Sequence, residues 1–145
     1  MEQQKIEAIM AEISGKLPAE QLNGIREQLQ EVDDSRYLAL VSADLKNPIQ
    51  TLIFAILLGW VGADHFTIKQ VGLGILKLIV CLGWCVWWII GAILVLRSAL
   101  HGGFDFTYFL YQALPWVVLA WYVFDIIMAI PNTKKYNYKK FVKLL

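Results

Sequence analysis

The chain has 145 residues, enough for one small domain or a short membrane protein. Its apolar fraction is 58% and its charged fraction 17%, where soluble chains average about 45–50% and about 25%, and a soluble domain this small has too little interior to hide that surface. Residues 1–50 hold nine Asp/Glu and five Lys/Arg, whereas residues 51–145 hold three and eight, which excludes an ordinary soluble domain and indicates an integral membrane protein with an acidic, water-soluble front end.

The first 46 residues contain no apolar stretch of the length that a signal peptide needs, so a cleaved leader is not expected. Residues 1–15 instead place Ile6, Ile9, Met10 and Ile13 at helical spacing, with Gly15 as a stop. Pro18 opens a second periodic stretch with Leu22, Ile25, Leu29 and Val32 on one face. Asp34 or Ser35 can cap a third short helix carrying Leu38, Val41 and Leu45. Three short helices make a marginal core, so residues 1–46 are expected to pack on themselves, on a second copy or against the bilayer.

Three uncharged apolar runs follow Lys46, at residues 47–63, 78–96 and 106–124. About 20 residues rising about 1.5 Å each cross a hydrocarbon core of about 30 Å, so the second and third runs qualify as spanning helices. The first is at the short limit, and either crosses or stops as a re-entrant or interfacial segment. Crossing is favoured, because Asn47-Pro48 supplies an N-cap and an N1 proline. The expected fold is all-α: an integral membrane protein with three transmembrane helices preceded by short amphipathic N-terminal helices. Lys134, Lys135, Lys139, Lys140 and Lys143 keep the C-terminal tail cytoplasmic under the positive-inside rule. Three crossings then place the front end outside; two place both ends inside.

The stretch Gly59-Trp60-Val61-Gly62-Ala63-Asp64-His65-Phe66, followed by Gly72-Leu73-Gly74-Ile75-Leu76-Lys77-Leu78, resembles the TM2 domain family. That family joins two membrane helices by a loop reading approximately G-x-x-G-x-D/H-R-F-Y-x-G, then G-x-G-x-x-K-L, then an aromatic-rich helix ending in Asp. The acidic leader is similar to the N-terminal extension of some bacterial members. His65 replaces the family's Arg, Thr67 its Tyr and Lys69 its later loop Gly. Counting on from Lys77, the family's Asp falls at Gly91, and a second match, Trp121-Tyr122-Val123-Phe124-Asp125, comes later. The chain therefore reads as an acidic helical region at 1–46, a TM2-type membrane domain at 47–130 with an inserted hairpin at about 91–120, and a basic aromatic tail at 131–145. The resemblance implies a membrane location, the cytoplasmic membrane for a bacterial member, and no enzymatic activity.

Ala55, Gly59 and Ala63 form a stripe of small residues that lets two membrane helices approach closely, within one chain or between copies. Asp64 can cap the segment that follows, and His65 can titrate near neutral pH. A metal role would need more ligands, and the only other histidine, His101, is expected at the opposite end. Lys77 and Asp125 lie at matching depths on antiparallel helices. They are expected to form an intramembrane ion pair that pins the second and third helices; the alternatives are separate snorkelling to the interface or an ion path. Cys81 and Cys85 read as reduced, packed thiols, and Pro115 as a kink. Trp84, Trp87 and Trp88 lie near mid-run and fill helix contacts. The lysines of the tail, interleaved with Tyr136, Tyr138 and Phe141, suit anionic lipid headgroups better than nucleic acid.

No catalytic constellation, phosphate loop or cofactor motif is legible, so neither an enzyme nor a cofactor is expected. The expected role is a membrane scaffold or accessory protein that assembles with itself or with a membrane protein partner. The alternative is a subunit of a small oligomeric pore. Thr107, Tyr111 and Asp125 share a helix face, but Gln112 lies off it, which makes a continuous aqueous lining doubtful.

Overall fold

The computed structural model describes residues 1–101 and 106–145, and the side chains at 1–100, 111 and 115–145. The readings that concern the side chains of His101, Thr107 and Gln112, and the connection through Asp105, lie outside what is described. Among the described residues all regular structure is helical: α1 (Gln3–Ile13), α2 (Leu22–Glu31), α3 (Tyr37–Val41), α4 (Pro48–Leu58), α5 (Ala63–Thr67), α6 (Val71–His101) and α7 (Phe106–Val142). Short 3-10 turns at Ala19–Gln21, Asp34–Arg36 and Gly59–Val61 join some of them. The chain divides into two compact units, residues 1–53 with 128–145, and residues 54–127.

The first unit is built on the apolar periodicity of α1 and α2. Ile6, Ile9 and Ile13 from α1 meet Ile25 and Leu29 from α2, with Leu17, Leu40, Leu45 and Phe141 completing one buried cluster. Each such side chain contributes about 1.5–3 kcal/mol when fully buried. The third helix differs from expectation. Leu40 faces the core, while Leu38 is 76% exposed and Val41 is at the surface. The cause is the 3-10 turn Asp34–Arg36, which rotates a five-residue helix away from the phase that the spacing of apolar residues suggests.

The tail also differs. Residues 131–145 do not form a separate basic segment, because α7 continues through Pro131 to Val142. Packing holds this stretch helical: Phe141 is fully buried in the core of the unit. Asn137, also fully buried, accepts from the Lys46 amide at 2.9 Å and donates to the carbonyls of Lys46 at 2.7 Å and Lys16 at 3.0 Å. Lys140 Nζ donates to the Asp44 carbonyl and lies 3.3 Å from its carboxylate. Residues 128–145 are thus part of the same unit as the acidic region.

Two helices, over Val71–Leu100 and Pro115–Val142, are long and apolar enough to cross a membrane; the first lies wholly in the second unit and the other runs on into the first. In the most apolar part of α6 only 6% of residues are buried, and Ile79, Leu82, Val86, Ile89 and Ile93 all face outward. A core helix of a soluble protein buries such residues; these suit a lipid surroundings. The first apolar run is shorter than expected. Asn47 Oδ1 accepts from the Ile49 amide at 2.9 Å, so the N-cap forms, but α4 stops at Leu58 after 11 residues, about 16 Å. The stop is local: Gly62 has φ +87°, and a Cβ there would lie 2.8 Å from the Gly74 carbonyl oxygen. Only glycine meets both conditions.

A narrow seam joins α6 and α7. Tyr111 donates from its hydroxyl to the Trp87 carbonyl at 3.0 Å and stacks on the Trp87 ring with centroids 5.1 Å apart. It occupies the space a side chain at Gly91 would need, since a Cβ there would come within 1.8 Å.

Candidate functional site

The turn after α4 carries the chain back through α5 to the start of α6, and this return brings charge together. Thr67 Oγ1 donates to the Ala63 carbonyl at 2.9 Å, and the Gln70 amide donates to the His65 carbonyl at 2.8 Å. Lys69 takes φ +58°, the left-handed conformation that glycine favours, at the position where the family pattern has glycine. Gly74 packs its backbone against Phe66, whose ring would lie 2.8 Å from a Cβ there; Gly72 meets no such neighbour.

Asp64 and His65 of α5 are thereby held beside Lys77 of α6. Lys77 Nζ donates to Asp64 Oδ1 at 3.2 Å and Oδ2 at 3.4 Å, and lies 2.7 Å from Asp125 Oδ2 of α7. His65 Nδ1 is 2.7 Å from Asp64 Oδ2. All four side chains are buried. Two carboxylates thus share one ammonium, with the His65 ring against the Asp64 side of it.

Asp64 is the member that the sequence reading missed, having been taken as a cap. A signal was present: it is an acid at the edge of an apolar run, where a charge needs a partner. The small-residue stripe has a different role from a straight helical seam. Ala55 is buried and Gly59 lies against the Tyr122 ring, with a Cβ there 3.4 Å from Cε2. Tyr122 also donates to the Ile56 carbonyl at 2.6 Å. Ala63 belongs to α5, beyond the end of α4, so the stripe is not continuous.

Above the Lys77–Asp125 pair lies a cavity of about 140 Å³, walled by Trp60, Trp84, Trp121 and Tyr122. Its walls are apolar and aromatic; its floor is charged. Cys81 is half-buried and Cys85 exposed, both as free thiols. Among the described residues no group of three His, Cys, Asp or Glu could hold a metal ion. Of the tail lysines, Lys135, Lys139 and Lys143 are exposed, Lys134 is half-buried and Lys140 is engaged by Asp44.

Residues 44–93 match the family model for the TM2 domain. Over 52 residues the chain is 42% identical to the TM2 domain-containing protein amaretto of Drosophila melanogaster, a stretch covering 36% of this chain and 23% of that protein. The chain therefore matches less than a quarter of that relative's length. No solved structure matches. Asp125 and all of α7 lie beyond the matched residues. The resemblance to the TM2 domain family is borne out over residues 44–93, the span that holds the motif from Gly59 to Lys77.

Proposed function

We propose that this chain is a non-enzymatic membrane scaffold or accessory protein, which anchors a small helical unit at the cytoplasmic face of a membrane. One observation supports the reading most: residues 1–53 and 128–145 share a single core, through Phe141 and the hydrogen bonds of Asn137. Two segments packed in one core lie on one side of a bilayer, so the residues between them cross an even number of times. The helices α6 and α7 supply two crossings. The segment from α4 through α5 is then re-entrant, entering and returning on the same side, and the expected third crossing gives way to this stub. Within residues 54–127, the first part of α7 alone offers 22 residues, 106–127, about 33 Å of helix and enough for a hydrocarbon core.

The five tail lysines support a cytoplasmic placement of this face. The exposed ones suit anionic headgroups, at about 1 kcal/mol per basic residue. The likeness of the acidic leader to bacterial family members favours a bacterial cytoplasmic membrane. The outward apolar faces of α6 and α7 are available to lipid, to a second copy or to a membrane protein partner. The pore alternative has less support, because Asp64, Lys77 and Asp125 gather at one point within one chain, so that among the described residues these charges do not form a row along a channel wall.

Side-specific labelling tests the topology. In a Cys81→Ser, Cys85→Ser background, an impermeant maleimide should reach Glu20→Cys and Lys143→Cys from one side and Leu100→Cys from the other. Labelling of Glu20→Cys and Lys143→Cys from opposite sides would sink the shared-face reading. The mass of the nanodisc-embedded protein tests assembly; a closed ring with measurable conductance would favour the pore.

A further inference from the structure

The geometry points to a binding site for a small organic monocation, an ammonium with an apolar body, in the cavity between Trp60, Trp84, Trp121, Tyr122 and the Lys77–Asp125 pair. Three features combine. The first is volume: about 140 Å³ is close to the roughly 150 Å³ of an apolar cavity that admits benzene, so the guest has a body of about six to eight heavy atoms. The second is the wall. Indole is the best aromatic partner for a cation, and ring faces attract an ammonium most strongly where water is excluded. Three indoles and a phenol around one small volume exceed what filling a helix contact requires.

The third feature is charge. Lys77 is divided between Asp64 at 3.2 Å and Asp125 at 2.7 Å, and Asp125 is one of the residues that line the cavity. Asp125 Oδ2 is buried and accepts no hydrogen bond, so an ammonium seated against the indoles supplies the donor it lacks without displacing Lys77. An anion would face the carboxylate, and a neutral apolar guest would leave that oxygen without a donor. Trp60 is 60% exposed, so the mouth opens beside it at the protein surface. The cation can reach the site as a free amine or as the ammonium of a lipid headgroup; the recognition chemistry is the same.

Protonated cyclohexylamine and cyclohexanol share a ring and differ in charge, and so form the test pair. With the full chain in phosphatidylglycerol nanodiscs at neutral pH, the ammonium should change tryptophan emission saturably, with an affinity at least about tenfold above that of cyclohexanol. Asp125→Asn should abolish the preference. Because that change also touches the ion pair, Trp84→Leu provides the second arm: it keeps both charges, and should weaken the ammonium about fivefold or more while the melting transition is retained. Discs with a fixed share of phosphatidylglycerol, the remainder phosphatidylcholine or an uncharged glycolipid, hold the surface charge constant and identify the source. Weaker apparent binding with phosphatidylcholine assigns the site to a headgroup, and equal binding assigns it to a free amine; both support the site. Equal affinity for ammonium and alcohol, or no saturable binding of the ammonium, would overturn it.

Discussion

Lys77 and Asp125 are 48 residues apart in sequence and 2.7 Å apart in space, with Asp64 closing on the same ammonium from the other side at 3.2 Å. The three charges are unequal in consequence. Removing Lys77 leaves two buried carboxylates facing each other, whereas removing Asp64 leaves a matched pair. Lys77→Met should therefore cost about 3–5 kcal/mol of stability, and Asp64→Asn clearly less. Thermal unfolding in detergent measures both, and an Asp64→Asn protein less stable than Lys77→Met would contradict the shared-ammonium arrangement.

The loop between α5 and α6 holds strain that can be relieved. Lys69 sits at φ +58°, a conformation that costs an L residue about 1–2 kcal/mol, while glycine adds about 0.5–1 kcal/mol of chain entropy to the unfolded state. Lys69→Gly should thus stabilise the protein by about 0.5–1 kcal/mol, and Lys69→Val should destabilise it. The two melting temperatures should move in opposite directions from the parent.

Asn137 ties three backbone groups together in the first unit. Asn137→Ala leaves the Lys46 amide and the carbonyls of Lys16 and Lys46 without their partner, at a cost of about 2–4 kcal/mol. Asn137→Asp should be at least as damaging, because it retains the acceptor but sets a carboxylate against two carbonyl oxygens. Limited proteolysis within residues 1–46 reads the loss, and a wild-type digestion rate in both variants would remove Asn137 from this role.

Acid should loosen the same unit. The hydrogen bond from Lys140, followed by that from Lys46, holds the Asp44 carboxyl below its ordinary value, and Lys5 does the same for Asp34. A lowered carboxylate stabilises the fold at any pH above its ordinary value of about 4 and loses that contribution as pH falls through the folded value. The raised Lys5 amine has the opposite dependence: its contribution is lost only at strongly alkaline pH. Because these groups are exposed, the effect is small and screened by salt. Stability measured from pH 7 to pH 3 should decline below about pH 4, and Asp44→Asn should flatten part of that decline.

Local pattern carries far in this sequence. The faces of α1 and α2 follow directly from apolar spacing, and Asn47-Pro48 starts α4 because both cap and proline act within a few residues. Errors arise where a long-range contact decides. Nothing local tells Phe141 that its partners are Ile6 to Leu45, so five lysines and Pro131 read as a membrane-exit tail when the stretch is helical and packed. Leu38 and Leu40 are exchanged because a single 3-10 turn shifts the phase. Lys77 and Asp125 could be paired by depth along two helices. Asp64 could not, because its approach depends on the left-handed turn at Gly62 and the return through α5.

The shared core of the first unit also sets an order on synthesis. The helices α1 to α3 leave the ribosome early, but Phe141 and Asn137 are added about 95 residues after Lys46. At about 5–20 residues per second this is roughly 5–20 s during which Ile9, Ile13, Leu17 and Leu29 lack their last apolar neighbour. In that interval α6 and most of α7 are being made. The front end of the chain is therefore a latch that closes last, on residues that follow both long helices in order of synthesis.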